Sequence, residues 1–286
     1  MPTFNQANYI GNAISSVLSQ TEKSFELIIV NNYSSDNTVK IVKSFNDSRI
    51  KLFNFKNHGI IAASRNLGIK KSKGDYIAFL DSDDIWYSNK LQSCLKFIKK
   101  GHKFISHKVH FKNRKDHIIK IGLKNYFSHY SLLYKGNFIV TSSVVVNSDI
   151  LKKLNGFNTD PSMINSEDFD LWLRILKYEK GYLIPETLGE NIIHQFNASR
   201  DIEKSFSAAK NVLNSFLKNE NFLKKRKSLG FLSYSFGMAY FKKNKFKLAI
   251  NTFIEALKYH PLLMRCYFLL VLLYIIIIFK FLKVSK

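Results

Sequence analysis

Apolar and polar positions along the first hundred residues change period repeatedly, predicting strand and helix in turn. Residues 25–31, Phe-Glu-Leu-Ile-Ile-Val-Asn, form a short apolar run rich in β-branched residues. It ends in Asn31-Asn32-Tyr33-Ser34-Ser35-Asp36, the pattern of a buried strand entering a polar loop. Ser35 or Asp36 can cap the helix that follows, and Val39, Ile41, Val42 and Phe45 give it an apolar face. Residues 50–55 predict a second strand, and Ile61, Ala62, Leu67 and Ile69 resume helical spacing over 60–72. Gly74-Asp75 breaks the pattern ahead of Tyr76-Ile77-Ala78-Phe79-Leu80, a continuous apolar run suited to a strand covered on both faces. This order predicts an α/β fold in which βαβ units build a mainly parallel, Rossmann-like sheet flanked by helices. Ligands of such sheets bind beyond the carboxyl ends of the strands.

Residues 101–165 mix short β-rich pieces, such as Phe138 to Asn147, with basic loops such as Lys112-Asn113-Arg114-Lys115; acceptor-binding structure is expected there. A helix is predicted from Glu167 through Leu171, Trp172, Ile175 and Leu176, stopping at Gly181. Residues 201–262 read as wholly helical. Within them Tyr234, Gly237, Tyr240, Ala249, Phe253, Ala256 and Pro261 fall at the spacing of one tetratricopeptide helix pair, a unit that needs neighbours to bury its faces. The run Cys266 to Phe279 carries no charge and is bracketed by Arg265 and Lys280. It is shorter than the roughly 20 residues of a membrane span, but the window 262–282 reaches that length if the two basic stems snorkel. The expected organisation is a catalytic domain over 1–200, a helical region over 201–262 and an apolar, basic, membrane-associating helix over 263–286.

A chain of 286 residues supports one substantial core and a smaller appendage. Its 44 basic and 21 acidic residues give a net charge of +23, which attracts polyanions such as nucleic acid or an anionic membrane surface. No nucleic-acid module is visible, so no nucleic-acid partner is expected and the membrane surface is. Cys94 and Cys266 stand far apart in no metal-binding spacing, which excludes a disulfide framework and a structural zinc site and fits a reducing compartment. The opening MPTFNQANYI lacks a basic segment followed by an apolar run, so no secretory signal is visible. The expected location is cytoplasmic, peripheral or C-terminally anchored at the inner face of the cell membrane.

Three clusters carry candidate chemistry. Asp81-Ser82-Asp83-Asp84 crowds three carboxylates at a strand end. A hard divalent cation, Mn2+ or Mg2+, relieves such repulsion and shares its coordination with substrate phosphates; the alternative is an acidic turn capping a helix near Tyr87. Ser166-Glu167-Asp168-Phe169-Asp170-Leu171-Trp172 places carboxylates at a helix start, where the macrodipole stabilises them and where Asp168 could serve as a general base. In the third, His58 to Gly68, small residues let backbone approach a ligand, and Arg65 could meet a diphosphate or a surface partner.

Together with Pro2-Thr3-Phe4-Asn5, Val30 to Thr38, Ala63-Ser64-Arg65-Asn66 and Gly156-Phe157, these clusters make the chain resemble the family-2 glycosyltransferases of the GT-A fold, bacterial polysaccharide type, over roughly residues 2–200. The resemblance implies a metal-dependent, inverting enzyme that moves a sugar from a nucleotide-sugar donor, a UDP-sugar, to a hydroxyl of a surface glycan or lipid-linked oligosaccharide. It implies that Thr3, Phe4, Asn31 and Asn32 line the nucleobase pocket, that Arg65 lies near the base or diphosphate, and that Asp81 contacts the ribose. Asp83 would hold the metal, and Asp168, beside Glu167, would be the catalytic base. His194, followed by Asn197, Ala198 and Ser199, would reach the metal or diphosphate, or be a buried structural histidine. Two departures stand out. Four or five apolar residues usually precede the Pro-Thr pair as the first strand, whereas here Met1-Pro2 predicts a clipped start or a sheet without an ordinary central strand. Asparagine replaces the usual aspartate at 31 and 32, and an amide offers a donor as well as an acceptor to a base edge. These departures leave a non-catalytic nucleotide-sugar-binding or scaffold protein as the alternative.

Overall fold

The computed structural model describes residues 1–112, 125–194 and 201–284, with side chains to residue 278. Asn113, Arg114 and Lys115 of the predicted basic loop, and Asn197, Ala198 and Ser199, lie outside the described residues. Two compact units form, one from Met1–His129 and the segment beginning at Phe138, the other from Tyr130–Asn137 and the C-terminal helices.

The first unit opens with β1 (Pro2–Thr3), α1 (Ile10–Leu18), β2 (Leu27–Asn31), α2 (Thr38–Ser44), β3 (Ile50–Asn54) and α3 (Ile61–Lys71). The three strands make a parallel sheet in the order β1-β2-β3, with Pro2 opposite Val30 and Leu27 opposite Ile50. Every residue of β2 is buried, as its unbroken apolar run requires of a strand covered on both faces. Ile10, Ile14 and Val17 of α1 pack with Leu27, Ile29 and Val42 in one core cluster. Those helix residues sit at helical spacing and so share one face.

There follow β4 (Tyr76–Ala78), β5 (Ile85–Trp86), α4 (Lys90–Ile98), β6 (Phe104–Lys112), β7 (Tyr126–Phe127), α5 (His129–Lys135), β8 (Val145–Asn147), α6 (Ser148–Lys153), α7 (Glu167–Ile175) and β9 (Gly181–Ile192). The strands form a mixed sheet in the order β4-β8-β6-β9-β5, with β7 also on β9. The strand expected over 76–80 is therefore three residues long and pairs antiparallel with β8 rather than joining the parallel sheet. The parallel ladder ends at the two-residue β1, whose backbone bonds run to β2: Val30 N–H to Met1 O and Asn32 N–H to Thr3 O, both 2.9 Å. Phe79 N–H instead reaches Val144 O at 3.1 Å.

A second correction concerns Gly181. It does not stop a helix; α7 ends six residues earlier, and Gly181 opens β9. A Cβ at Gly181 would lie 2.0 Å from the Phe127 ring, so glycine is there for close packing. Strand β9 runs parallel to β6 from Phe104 opposite Gly181 to Lys112 opposite Ile192, twelve residues against nine. The excess is taken up in irregularities where the partner jumps from Ile184 to Thr187 and then to Glu190. Pro185 falls in the first jump, where a residue without an N–H costs no ladder bond.

In the second unit, α8 (Ile202–Leu217), α9 (Phe222–Lys242), α10 (Phe246–Tyr259) and α11 (Met264–Val284) follow one another. Asp201 and Asn221 cap α8 and α9 by accepting from the Lys204 and Lys224 N–H groups. Helices α9 and α10 pair antiparallel: a Cβ at Gly230 would meet His260 Cβ at 2.6 Å, and one at Gly237 would meet the Phe253 ring at 2.6 Å. Leu263, Cys266 and Leu273 of the last segment join Phe253 and Ala256 in the same core. Among the described residues no helix is long and apolar enough to cross a membrane.

The Gly237 contact makes a direct test. Replacing Gly237 by Val should force the fully buried Phe253 aside and cost about 1–3 kcal/mol in urea unfolding, despite valine's better helix propensity.

Candidate active site

The loop after β4 sorts its three carboxylates. Asp84 is 1% exposed and turned into the protein. Its Oδ2 accepts from Ser142 Oγ at 2.5 Å, its Oδ1 from the Ile192 N–H at 3.0 Å, and both oxygens from Asn191 Nδ2 at 3.1 Å. Burial, and then the charges of Asp83 and Asp81, push its pKa well above the carboxylate range. Asp84 is thus a structural tie between this loop, the turn before β8 and the end of β9, and the crowd facing the site reduces to Asp81 and Asp83. Ser142 Oγ also accepts the Asp81 N–H at 3.0 Å, which fixes the loop backbone.

Asp83 Oδ2 accepts from His194 Nε2 at 2.8 Å, and both side chains are mostly shielded, 15% and 8% exposed. Tyr9 stacks on the His194 ring with centroids 4.3 Å apart, which holds the imidazole's plane. Burial, then the Asp81 charge, raise the Asp83 pKa against the opposing pull of His194. Among the described residues no group of three or more His, Cys, Asp or Glu side chains converges on one point. One carboxylate and one imidazole do converge here; the Asp83 oxygens suit Mn2+ or Mg2+, which take oxygen ligands and share their remaining positions with phosphate and water, and His194, now bonded to Asp83 through Nε2, would have to release that bond to join them. The Asp83 carboxylate would thus fit a cation only if its substrate's phosphates supplied most of the coordination.

Arg65, on α3, joins the two acidic motifs. Its Nη1 donates to Glu167 Oε1 at 2.6 Å and its Nη2 to Asp81 Oδ1 at 2.7 Å, and its side chain is 5% exposed. Although burial opposes its charge, Asp81 and Glu167 hold it above even the ordinary arginine range. The guanidinium fork that could have met a diphosphate is occupied by these carboxylates, one buried and one partly exposed. Glu167 accordingly sits as a counter-charge behind the site. Its neighbour Asp168 accepts from Thr141 Oγ1 at 3.1 Å and from the Phe169 N–H at 2.7 Å. Burial, then the Glu167 charge, raise Asp168 to about 6, with Arg65 pulling the other way. Asp170 faces elsewhere: Arg174 binds it at 2.8 Å and also donates to the Leu154 and Gly156 carbonyls.

Gly156 and Phe157 owe their place to Asn66, whose amide exchanges two hydrogen bonds with the Phe157 backbone at 2.7 and 2.8 Å. Gly156 has φ +65°, and a Cβ there would lie 2.3 Å from Asn66 Oδ1. The loop thus carries the Phe157 ring to 5.4 Å from the Arg65 guanidinium.

At the carboxyl ends of β2 and β3 an open cleft of about 500 Å³ is lined by Asn32, Tyr33, Lys56, His58 and Gly59. Tyr33 and His58 hold left-handed backbone, φ 52° and 53°, a conformation that side chains other than glycine rarely adopt. Asn31 does not line it. Its Nδ2 donates to Asn54 Oδ1 and its Oδ1 accepts from Ser34 N–H and Oγ–H, so its amide is satisfied internally. Strand alternation turns residue 31 inward and leaves Asn32, whose Oδ1 accepts the Asn57 N–H, at the rim. Thr3 is buried with its hydroxyl unbonded among the described residues, and Phe4 is 53% exposed. Tyr9, Thr141, Ser142 and Asn191 are site-supporting residues that no local motif announces.

A parallel β1-β2-β3 sheet, an acidic loop after β4 and a second acidic motif opening α7 place the chain in the GT-A fold class. The chain belongs to glycosyl transferase family 2, whose model matches residues 1–154. An uncharacterized glycosyltransferase of Rickettsia conorii is 38% identical over 183 residues, 61% of this chain and 29% of the relative, so the chain spans less than a third of that relative. WfgD of Escherichia coli, described as a UDP-Glc:α-D-GlcNAc-diphosphoundecaprenol β-1,3-glucosyltransferase, is 36% identical over 178 residues, 62% of this chain and 68% of WfgD. Among solved structures, S. aureus TarS 1-349 in complex with UDP-GlcNAc superposes with a TM-score of 0.68 at 17% identity, over 90% of this chain and 79% of the TarS chain, a likeness of fold.

Arg65→Met should leave Asp81 and Glu167 facing each other uncompensated and destabilise the protein by about 3–5 kcal/mol in denaturant unfolding. Arg65→Lys should recover only part of this, since one ammonium cannot reproduce two divergent N–H contacts.

Proposed function

We propose that residues 1–200 transfer a sugar, with inversion, from a UDP-sugar to a hydroxyl of a lipid-linked or surface glycan, and that Asp168 is the base. The carrying observation is Asp168 itself: a carboxylate raised to about 6 and held by Thr141, next to the Arg65 strut that joins both acidic motifs. A base with that pKa is ionised at neutral pH yet basic enough to share a proton with an alcohol as it attacks. The acceptor O–H gives its proton to Asp168, its oxygen bonds the anomeric carbon, and the bond to the nucleoside diphosphate breaks on the opposite face.

Asp83 and His194 would hold a Mn2+ or Mg2+ ion, which supplies positive charge for the departing diphosphate. Asp81 would meet the ribose. Thr3, Phe4 and Asn32, with Tyr33 across the 500 Å³ cleft, would receive the base, the exposed rings of Phe4 and Tyr33 offering stacking surface. Asn31 would act one step back, holding Ser34 and Asn54 around that cleft. The donor assignment is supported by the UDP-GlcNAc complex of TarS, and the acceptor by the polyprenyl-diphosphate substrate in the name of WfgD. An acceptor of that kind would put the reaction at the inner face of the cell membrane, with 101–165 shaping its site and the C-terminal helices as an appendage.

Asp168→Asn should abolish transfer while leaving UDP-sugar affinity, measured by calorimetry, within about twofold. Turnover retained in purified Asp168→Asn removes the base assignment. In the unmodified enzyme kcat/KM should fall about tenfold per pH unit below about 6, because protonated Asp168 cannot accept the acceptor proton. Asp83→Ala should weaken UDP binding in the presence of Mn2+ and leave metal-free binding unchanged, and retention of anomeric configuration in the product's proton NMR spectrum would exclude single displacement.

A further inference from the structure

Helix α11 buries one face and leaves the other apolar. Leu263, Cys266 and Leu273 enter the core of the helical unit. Met264, Phe268, Val271, Tyr274, Ile275 and Ile278 are between 42 and 71% exposed. Their spacing of three and four residues lines them into one stripe over four turns. Exposed apolar surface on this scale marks a binding face.

The charge around the stripe says what covers it. After Glu220 the chain carries thirteen lysines and arginines and a single acidic residue, Glu255, which is already paired with Lys210 at 2.7 Å. Arg265 is exposed at one end of the stripe, and Lys280, Lys283 and Lys286 follow its other end in sequence. A second copy of this chain would bring the same cations and another +23 to the contact, so like charges would meet. An anionic lipid surface meets both demands, accepting apolar side chains below its headgroups and lysines at them. With its other face packed into the helical unit, α11 can meet a membrane only along its length, which fits a helix lying along the interface.

We infer that the outer stripe of α11 is a docking face for an anionic membrane, inserted in the plane of the headgroups. The inference deepens the reading of a lipid-borne acceptor, and because docking is scored without turnover, either can fail alone.

The test is flotation of the full chain with vesicles of phosphatidylcholine containing 30% phosphatidylglycerol. The protein should float with them, remain behind with phosphatidylcholine alone, and be released as salt is raised. Val271→Glu/Ile275→Glu should reduce flotation at least about tenfold with an unchanged circular dichroism spectrum. To keep the test independent of that variant's folding, Ile278→Cys carrying an environment-sensitive fluorophore should shift to the blue on anionic vesicles. Equal flotation of the double variant, or no emission shift, overturns the proposal. So does concentration-dependent dimerisation in sedimentation velocity that the double variant abolishes, which would assign the stripe to a second copy.

Discussion

The site depends on one buried cation. Arg65 lies between Asp81, which follows β4, and Glu167, which opens α7, and it bonds both while nearly excluded from water. Its two N–H contacts offset the repulsion that the two acidic motifs would otherwise meet on approaching each other. Two segments more than eighty residues apart are therefore brought together by a single guanidinium, and Asp168 inherits its position as the residue next to Glu167. The same arrangement bears on the chemistry of Asp168: burial raises its pKa first, Glu167 adds to the rise and Arg65 restrains it.

The other acidic residues divide the work by depth. Asp84, fully enclosed, receives Ser142, Asn191 and the Ile192 N–H and acts as a fastening. Asp83, slightly outward, meets His194, which Tyr9 holds in plane. Asp81 is the most exposed of the three. Three chemically identical side chains in four positions thus become a fastening, a partner of His194 and a partner of Arg65, because burial and hydrogen-bond partners differ over a few ångströms.

Much of this was readable from the chain, and the unread parts have physical reasons. The buried strand β2 and the helix after it follow from an unbroken apolar run and a 3.6 period, which are local properties. Asp81 and Asp168 stood out because acidic residues clustered at predicted element ends. The division between Asp83 and Asp84 was not readable, since it rests on Asn191, more than a hundred residues away. Asn31 and Asn32 look equivalent in sequence, yet strand parity sends one inward, and that parity was present in the β2 register. Gly181 was ambiguous in principle: a glycine after a helix can cap it, but it can also admit an aromatic ring, and Phe127 decides the matter. Strand β9 escaped because Pro185 and Glu186 interrupt its alternation.

That interruption governs more than the edge of a sheet. Over the stretch where β6 advances nine residues, β9 advances twelve, and an odd surplus exchanges the two faces of everything beyond it. Asn191 and His194 lie beyond it, and their side chains meet Asp84 and Asp83 of the aspartate loop. The pairing of His194 with Asp83 is accordingly a matter of counting along the chain. A relative that gained or lost one residue near Pro185 could keep every acidic side chain of the site, and the same fold, while pointing its histidine away from the aspartate loop.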